Sequence, residues 1–180
     1  PLGMLGEDPK GIPNNLMPYI TKVALGKEPH LKVFGNDYPT PDGTGVRDYL
    51  HIMDLSRGHI AAIDMLENKG FRGSEVYNLG TGNGISVLEM VDEFRKASEQ
   101  EVRYVIEDRR PGDVATCYAD PSKAEKEMGW KAERSLTDMC TDLWRWTELN
   151  PEGYSTDFRL ALKALEAKMD LRPERWFLKR

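Results

Sequence analysis

The chain has 180 residues, 39% hydrophobic and 31% charged, which is enough apolar material for the core of one ordinary globular domain or part of a larger one. A formal net charge of -5 lacks the basic footprint that nucleic acid or an anionic membrane surface requires, so neither is an expected partner. No apolar run approaches the roughly 18 to 20 residues of a membrane span, and neither a span nor a signal peptide is expected.

Helical and strand periodicities alternate along the chain, which argues for α/β architecture. From Asn14, the residues Leu16, Ile20, Val23 and Ala24 fall at helical spacing, with Gly26 as a stop. Leu31 to Phe34 reads as a short strand, and the Pro-, Asp-, Thr- and Gly-rich stretch from Tyr38 to Gly45 as a loop. Tyr49 to Ile52 is a second strand candidate. Asp54 is expected to cap a helix running to about Asn68, with Leu55, Ile60, Ile63 and Leu66 on its inner face.

Glu75 to Leu79 reads as a strand entering the turn Gly80-Thr81-Gly82-Asn83-Gly84. Ser86 followed by Glu89 is a capping-box signature for a helix ending near Ala97. Arg103 to Glu107 reads as a strand. Pro121-Ser122-Lys123 opens a short helix ending at Gly129, and Leu136 to Leu149 is an amphipathic helix with Leu136, Met139, Leu143 and Trp146 inward. From Asp157 onward, seven basic and four acidic residues accompany a further amphipathic pattern, so 155–180 is expected to be a basic helical extension, solvated or partner-binding.

Cys117 and Cys140 are the two cysteines, and no Cys/His cluster has metal-ligand spacing. Free thiols in a reducing, cytoplasmic compartment and no metal site are therefore expected. The Gly80 to Gly84 turn between strand and helix has two readings, a structural turn or a dinucleotide loop. Ile85 stands where the G-x-G-x-x-G fingerprint needs its last glycine. No tyrosine has a lysine four residues on, so the Tyr-x-x-x-Lys acid/base pair of short-chain dehydrogenases is absent.

Other residues suit a phosphorylated ligand with hydroxyl groups. Arg109-Arg110-Pro111-Gly112-Asp113 presents guanidinium forks from a bend, and Asp113 can accept from a sugar hydroxyl. Arg47 lies two residues before the aromatic Tyr49, and Asn14-Asn15 places amide donors at a helix start. Each of these is also the residue type of a helix cap or a surface ion pair. The residues alone lead to a phosphate-bearing metabolite and no further.

Longer motifs carry a resemblance. Gly6-Glu7-Asp8-Pro9, Gly11 to Tyr19, Phe34 to Tyr38 and Asp42 to His51 are similar to the UDP-glucose (UDP-galactose) 4-epimerase family. Tyr77 to Gly82, Arg109 to Asp113 and Asp142 to Trp146 continue the match, which covers about residues 3–154. The resemblance implies the C-terminal, sugar-nucleotide-binding part of an extended short-chain dehydrogenase/reductase: a small mixed sheet with helices, lacking most of the Rossmann domain. Residues 1–154 would bind UDP-sugar.

In that family NAD accepts a hydride from C4 of the hexose and returns it to the other face, with a tyrosinate as base. The NAD fingerprint and catalytic tyrosine lie upstream of the position matching Pro1. The resemblance therefore implies a piece of a longer, homodimeric protein, with no catalytic or cofactor-binding residue in this chain, and a chain inactive alone. A non-catalytic nucleotide-sugar-binding module is the alternative, and a sugar-nucleotide dehydratase fits Asn14 to Tyr19 poorly.

Carried over by position, Asn14, Asn15 and Leu16 match the segment that contacts UDP, and Lys32, Val33 and Phe34 the segment lining the uracil. Arg47 and Arg110 match the diphosphate-binding arginines, Tyr49 a residue packed beside the nucleotide, and Asp113 the ribose acceptor. Cys117 stands where a bulky tyrosine marks enzymes restricted to UDP-glucose and UDP-galactose. Its small side chain implies acceptance of the UDP-N-acetylhexosamines too, unless Cys117 is only a small buried hydrophobe. The strand around Val76 to Leu79 is expected to complete the missing half's sheet, leaving an unpaired edge and an exposed apolar face here.

Overall fold

A computed structural model describes residues 5–68 and 72–154; the basic extension read over 155–180 lies outside the described residues. The elements in chain order are α1 (Leu16–Ala24), β1 (Leu31–Phe34), β2 (Val46–Arg47), α2 (Ile52–Asn68), β3 (Ile85–Ser86), α3 (Val87–Ser98), β4 (Tyr104–Glu107), β5 (Thr116–Cys117), α4 (Ser122–Met128) and α5 (Leu136–Leu149). This is the mixed α/β chain that the alternating periodicities imply.

The strands form two small sheets. β1 and β4 pair in parallel, with Leu31 opposite Tyr104 and Phe34 opposite Glu107. The second sheet has the order β3-β2-β5: Val46 and Arg47 face Ser86 and Ile85 on the antiparallel side, and Thr116 and Cys117 on the parallel side. Two-residue strands are too short to hold a sheet by their ladders alone, so side-chain bonds supplement them. Asp42 accepts from the Thr44 amide (2.9 Å), the Thr44 hydroxyl (2.8 Å) and the Ser86 hydroxyl, tying the loop to the start of α3. Burial alone would raise the Asp42 carboxyl; the Ser86 and Thr44 hydrogen bonds outweigh it and hold the group below the usual carboxylate range.

The core lies between α1, β1, α3 and α5. Ile20, Leu31, Val33, Met90, Val91, Phe94, Val102 and Cys140 are buried there. Phe94 meets Trp144 edge to face, ring centroids 6.0 Å apart. One long helix of this core starts on the expected chemistry, and the other on a cap that the sequence reading did not single out. Ser86 and Glu89 close a capping box on α3, and Ser135 with Asp138 closes another on α5. On α5 the wholly buried position is Cys140 rather than Met139.

Four expectations are corrected. Residues Tyr49 to Ile52 form no strand: β2 stops at Arg47 and Ile52 already opens α2. The helix start is held by His51, whose Nδ1 accepts from the Met53 amide at 3.0 Å, so Asp54 is not the cap. Asp54 is instead wholly buried in the first turn, where Oδ2 accepts from the amides of Glu133 (3.0 Å) and Arg134 (2.8 Å).

The inner face of α2 is also different. Ile60, Ile63 and Leu66 are 58%, 52% and 57% exposed, whereas Asp54 and Gly58 are buried. The helix packs through Gly58, where an added Cβ would come within 2.6 Å of Leu79 and 3.3 Å of Trp130. Glu75 to Leu79, finally, pairs with no strand among the described residues, and Val76 is 76% exposed. An extended segment becomes a strand only against a neighbour.

An apolar helix face of this kind favours association. The isolated chain should therefore self-associate in sedimentation, and the double variant Ile63→Lys/Leu66→Lys should shift it toward monomer. A monodisperse wild-type monomer would contradict the exposure of this face.

Candidate nucleotide-binding pocket

One cavity of about 650 Å³ gathers residues from four separate parts of the chain. That volume lies within the range of small-molecule sites, ~300–1,000 Å³. The start of α1 supplies Asn14, Asn15 and Leu16, and β1 supplies Lys32, Val33 and Phe34. Arg47 and Tyr49 come from β2 and the extended segment after it, and Arg110 and Asp113 from the Pro-Gly bend. Ten of the eleven residues singled out in the sequence thus line one cavity.

Local chemistry explains these positions. Asn15 is the N-cap of α1, yet its side chain makes no capping hydrogen bond, which leaves the amide available to a ligand. The parallel pairing with β4 holds Lys32 to Phe34 extended. The Arg110 guanidinium stacks 4.8 Å from the centre of the Phe34 ring and binds Asp113 through Nε (2.9 Å) and Nη2 (3.4 Å). Arg47 approaches the same carboxylate at 3.8 Å, while its Nη1 donates to the carbonyls of Val46 (2.8 Å) and Val114 (2.9 Å).

Two guanidinium groups therefore flank a single carboxylate, leaving positive charge in excess beside an apolar strand and free amides. Such a site suits an anionic ligand with hydroxyl groups and a flat apolar part. Its Tyr49 does not suit proton abstraction at neutral pH. Burial pushes the Tyr49 phenol up to about 12, against the opposing pull of Arg47, so this tyrosine stays protonated.

The eleventh residue, Cys117, does not line the cavity. It is exposed on β5, as the register partner of Arg47, which overturns its reading as a small buried hydrophobe. Sequence reasoning in turn missed Tyr38, which lines the cavity and is stacked by Arg109 at 4.1 Å. Its hydroxyl is buried without a hydrogen-bond partner among the described residues. An aromatic within the otherwise polar Asn36-Asp37-Tyr38-Pro39 turn was the available signal.

The Gly80 to Gly84 turn resolves to its structural reading. The amides of Thr81 (2.9 Å) and Gly82 (3.1 Å) donate to the Asp48 carboxylate, so they are not free for a pyrophosphate. The residues described here do not fit a dinucleotide at this turn.

Fold and pocket together define an α/β chain with a cation-lined ligand site. The chain belongs to the family whose model, described as GDP-mannose 4,6 dehydratase, matches residues 6–143. Its similarity to individual relatives is narrower. It is 59% identical over 156 residues to the UDP-glucose 4-epimerase of Bacillus subtilis (strain 168), covering 87% of this chain and 45% of that protein. To the UDP-glucose 4-epimerase of Homo sapiens it is 56% identical over 154 residues, covering 86% of this chain and 44% of that one.

Among solved structures it resembles UDP-glucose 4-epimerase from Bifidobacterium longum in complex with NAD+ and UDP. The TM-score is 0.80 at 55% identity, over 84% of this chain and 44% of that one. The chain thus spans a little under half the length of the curated relatives it matches.

The two thiols should differ sharply in reactivity. Burial pushes Cys140 up to about 12, with a smaller push from Glu93, whereas Cys117 is exposed. At pH 8 one thiol should react rapidly with a disulfide reagent and the other only on unfolding, and Cys117→Ser should remove the fast phase. Two equally fast thiols would contradict the packing of α5.

Proposed function

We propose that this chain is the UDP-sugar-binding part of an NAD-dependent UDP-hexose 4-epimerase, a homodimeric enzyme of a reducing, cytoplasmic compartment. The observation that carries the reading is the single cavity shared by Asn14 to Leu16, Lys32 to Phe34, Arg47, Tyr49, Arg110 and Asp113. Similarity to epimerases supports it, including one solved with NAD+ and UDP. Uracil would lie along Lys32 to Phe34, the diphosphate between Arg47 and Arg110, and the ribose on Asp113. Asn14 and Asn15 would orient the nucleotide from the start of α1.

NAD supplies the hydride acceptor when bound, and we assign it to a part of the protein outside this chain, together with the catalytic tyrosine. The chain alone is therefore inactive, and residues 1–154 act as its binding unit. The exposed face of α2 and the unpaired segment around Val76 are the surfaces that the rest of the protein would cover. Turnover that appears only when that part is supplied distinguishes this reading from a self-sufficient binding module.

Arg110→Ala should weaken UDP binding by about 1.5 to 3 kcal/mol, the range for hydrogen bonds to a charged group. Isothermal titration of the variant checks this, and unchanged affinity removes Arg110 from the site. Cys117, outside the cavity lining but paired with Arg47 across β2 and β5, would face the sugar once the rest of the protein is in place: the complete enzyme accepts UDP-N-acetylglucosamine because no bulky side chain stands there. Cys117→Tyr should abolish that turnover and spare UDP-galactose; equal loss of both would sink the assignment.

A further inference from the structure

The cavity contains two side chains at the end of the sheet: Arg47 at the last paired position of β2, and Tyr49 beyond it, where no ladder holds the chain. β2 ends at Arg47 after two residues, and its two neighbours end with it. In extended backbone, alternate side chains point to opposite faces. Arg47 and Tyr49 both line the cavity, and the residue between them, Asp48, reaches to the other side.

There its carboxylate accepts four hydrogen bonds. Oδ1 takes the Thr81 amide at 2.9 Å and the Thr81 hydroxyl at 2.7 Å, and Oδ2 takes the Gly82 amide at 3.1 Å and the Ala119 amide at 3.2 Å. Thr81 and Gly82 belong to the chain entering β3, and Ala119 to the chain leaving β5. One side chain thus replaces the ladder on both flanks at the point where backbone pairing stops. The fit is close: a Cβ on Gly80 would lie 2.4 Å from Asp48 Oδ2 and 2.6 Å from the Ala119 side chain.

The geometry points to Asp48 as a positioning residue for nucleotide binding, which touches no ligand itself but holds Arg47 and Tyr49 at the cavity wall. The inference rests on the UDP-binding reading above. A carboxylate is required because all four partners present donors. The amide of an asparagine would turn an N–H₂ against one pair of them, leaving those N–H groups without an acceptor.

The test is a mutant cycle on UDP affinity, measured by titration of the full 180-residue chain with UDP. Asp48→Asn should weaken binding about tenfold while far-ultraviolet dichroism is unchanged. In that background Arg47→Ala should cost less than about threefold more, because Arg47 has already lost its placement. Arg110→Ala, stacked on β1, should still cost its full amount. Thr81→Val removes one bond of the four and carries the same cycle, with about a threefold first step, if Asp48→Asn does not fold.

Wild-type affinity in the folded variants, or a full additive loss with Arg47→Ala, overturns the role of Asp48 and leaves the nucleotide reading standing. Failure of the wild-type chain to bind UDP overturns the nucleotide reading itself, and the positioning role with it.

Discussion

The fold turns on how the run from Asp42 to Asp54 is fastened, and the central fastening is the Asp48 carboxylate. Its four donors come from two segments more than 30 positions apart in sequence. A three-stranded sheet with two residues per strand has too few ladder bonds to fix its own register. Asp42 on one side and Asp54 on the other repeat the device, binding the start of α3 and the chain before α5. Each carboxylate bonds backbone amides or hydroxyls, so the run is held by charge-assisted hydrogen bonds where apolar packing is thin.

The same arrangement separates support from binding. The aspartates at 42, 48 and 54 take partners within the protein, whereas Asp113 is shared by Arg47 and Arg110 at the cavity. A carboxylate between two guanidiniums limits their excess charge without cancelling it. The cavity has cations, amides and an apolar strand, and the half-buried Tyr49 stays protonated and offers no base. Under the proposed reading, binding and chemistry are divided, and this chain takes the binding side.

Much of this was legible in the sequence where local signals and burial agree. β1 and α5 have the boundaries their patterns imply, and the Ser86–Glu89 capping box forms as written. On α2 the signals part: apolar periodicity marks Ile60, Ile63 and Leu66 as a face to be covered, but periodicity does not say by what. Within this chain the covered face is the one carrying Asp54 and Gly58, a polar residue and a glycine that no hydrophobic pattern selects.

The cavity lining was legible for a different reason. Single residues such as Arg47 or Asn15 look like ordinary ion pairs or caps, and only the long motifs of the family resemblance connect them across the chain. Cys117 lies outside the cavity lining because β5 turns its side chain to solvent, while Tyr38 enters it from a loop without periodic signal.

The central claim is that this cavity receives a uridine diphosphate, and a crystal structure of the chain with UDP tests it most directly. The account predicts the uracil against Lys32 to Phe34 and the diphosphate between Arg47 and Arg110. UDP bound elsewhere, or a cavity still empty at saturating UDP, would contradict it.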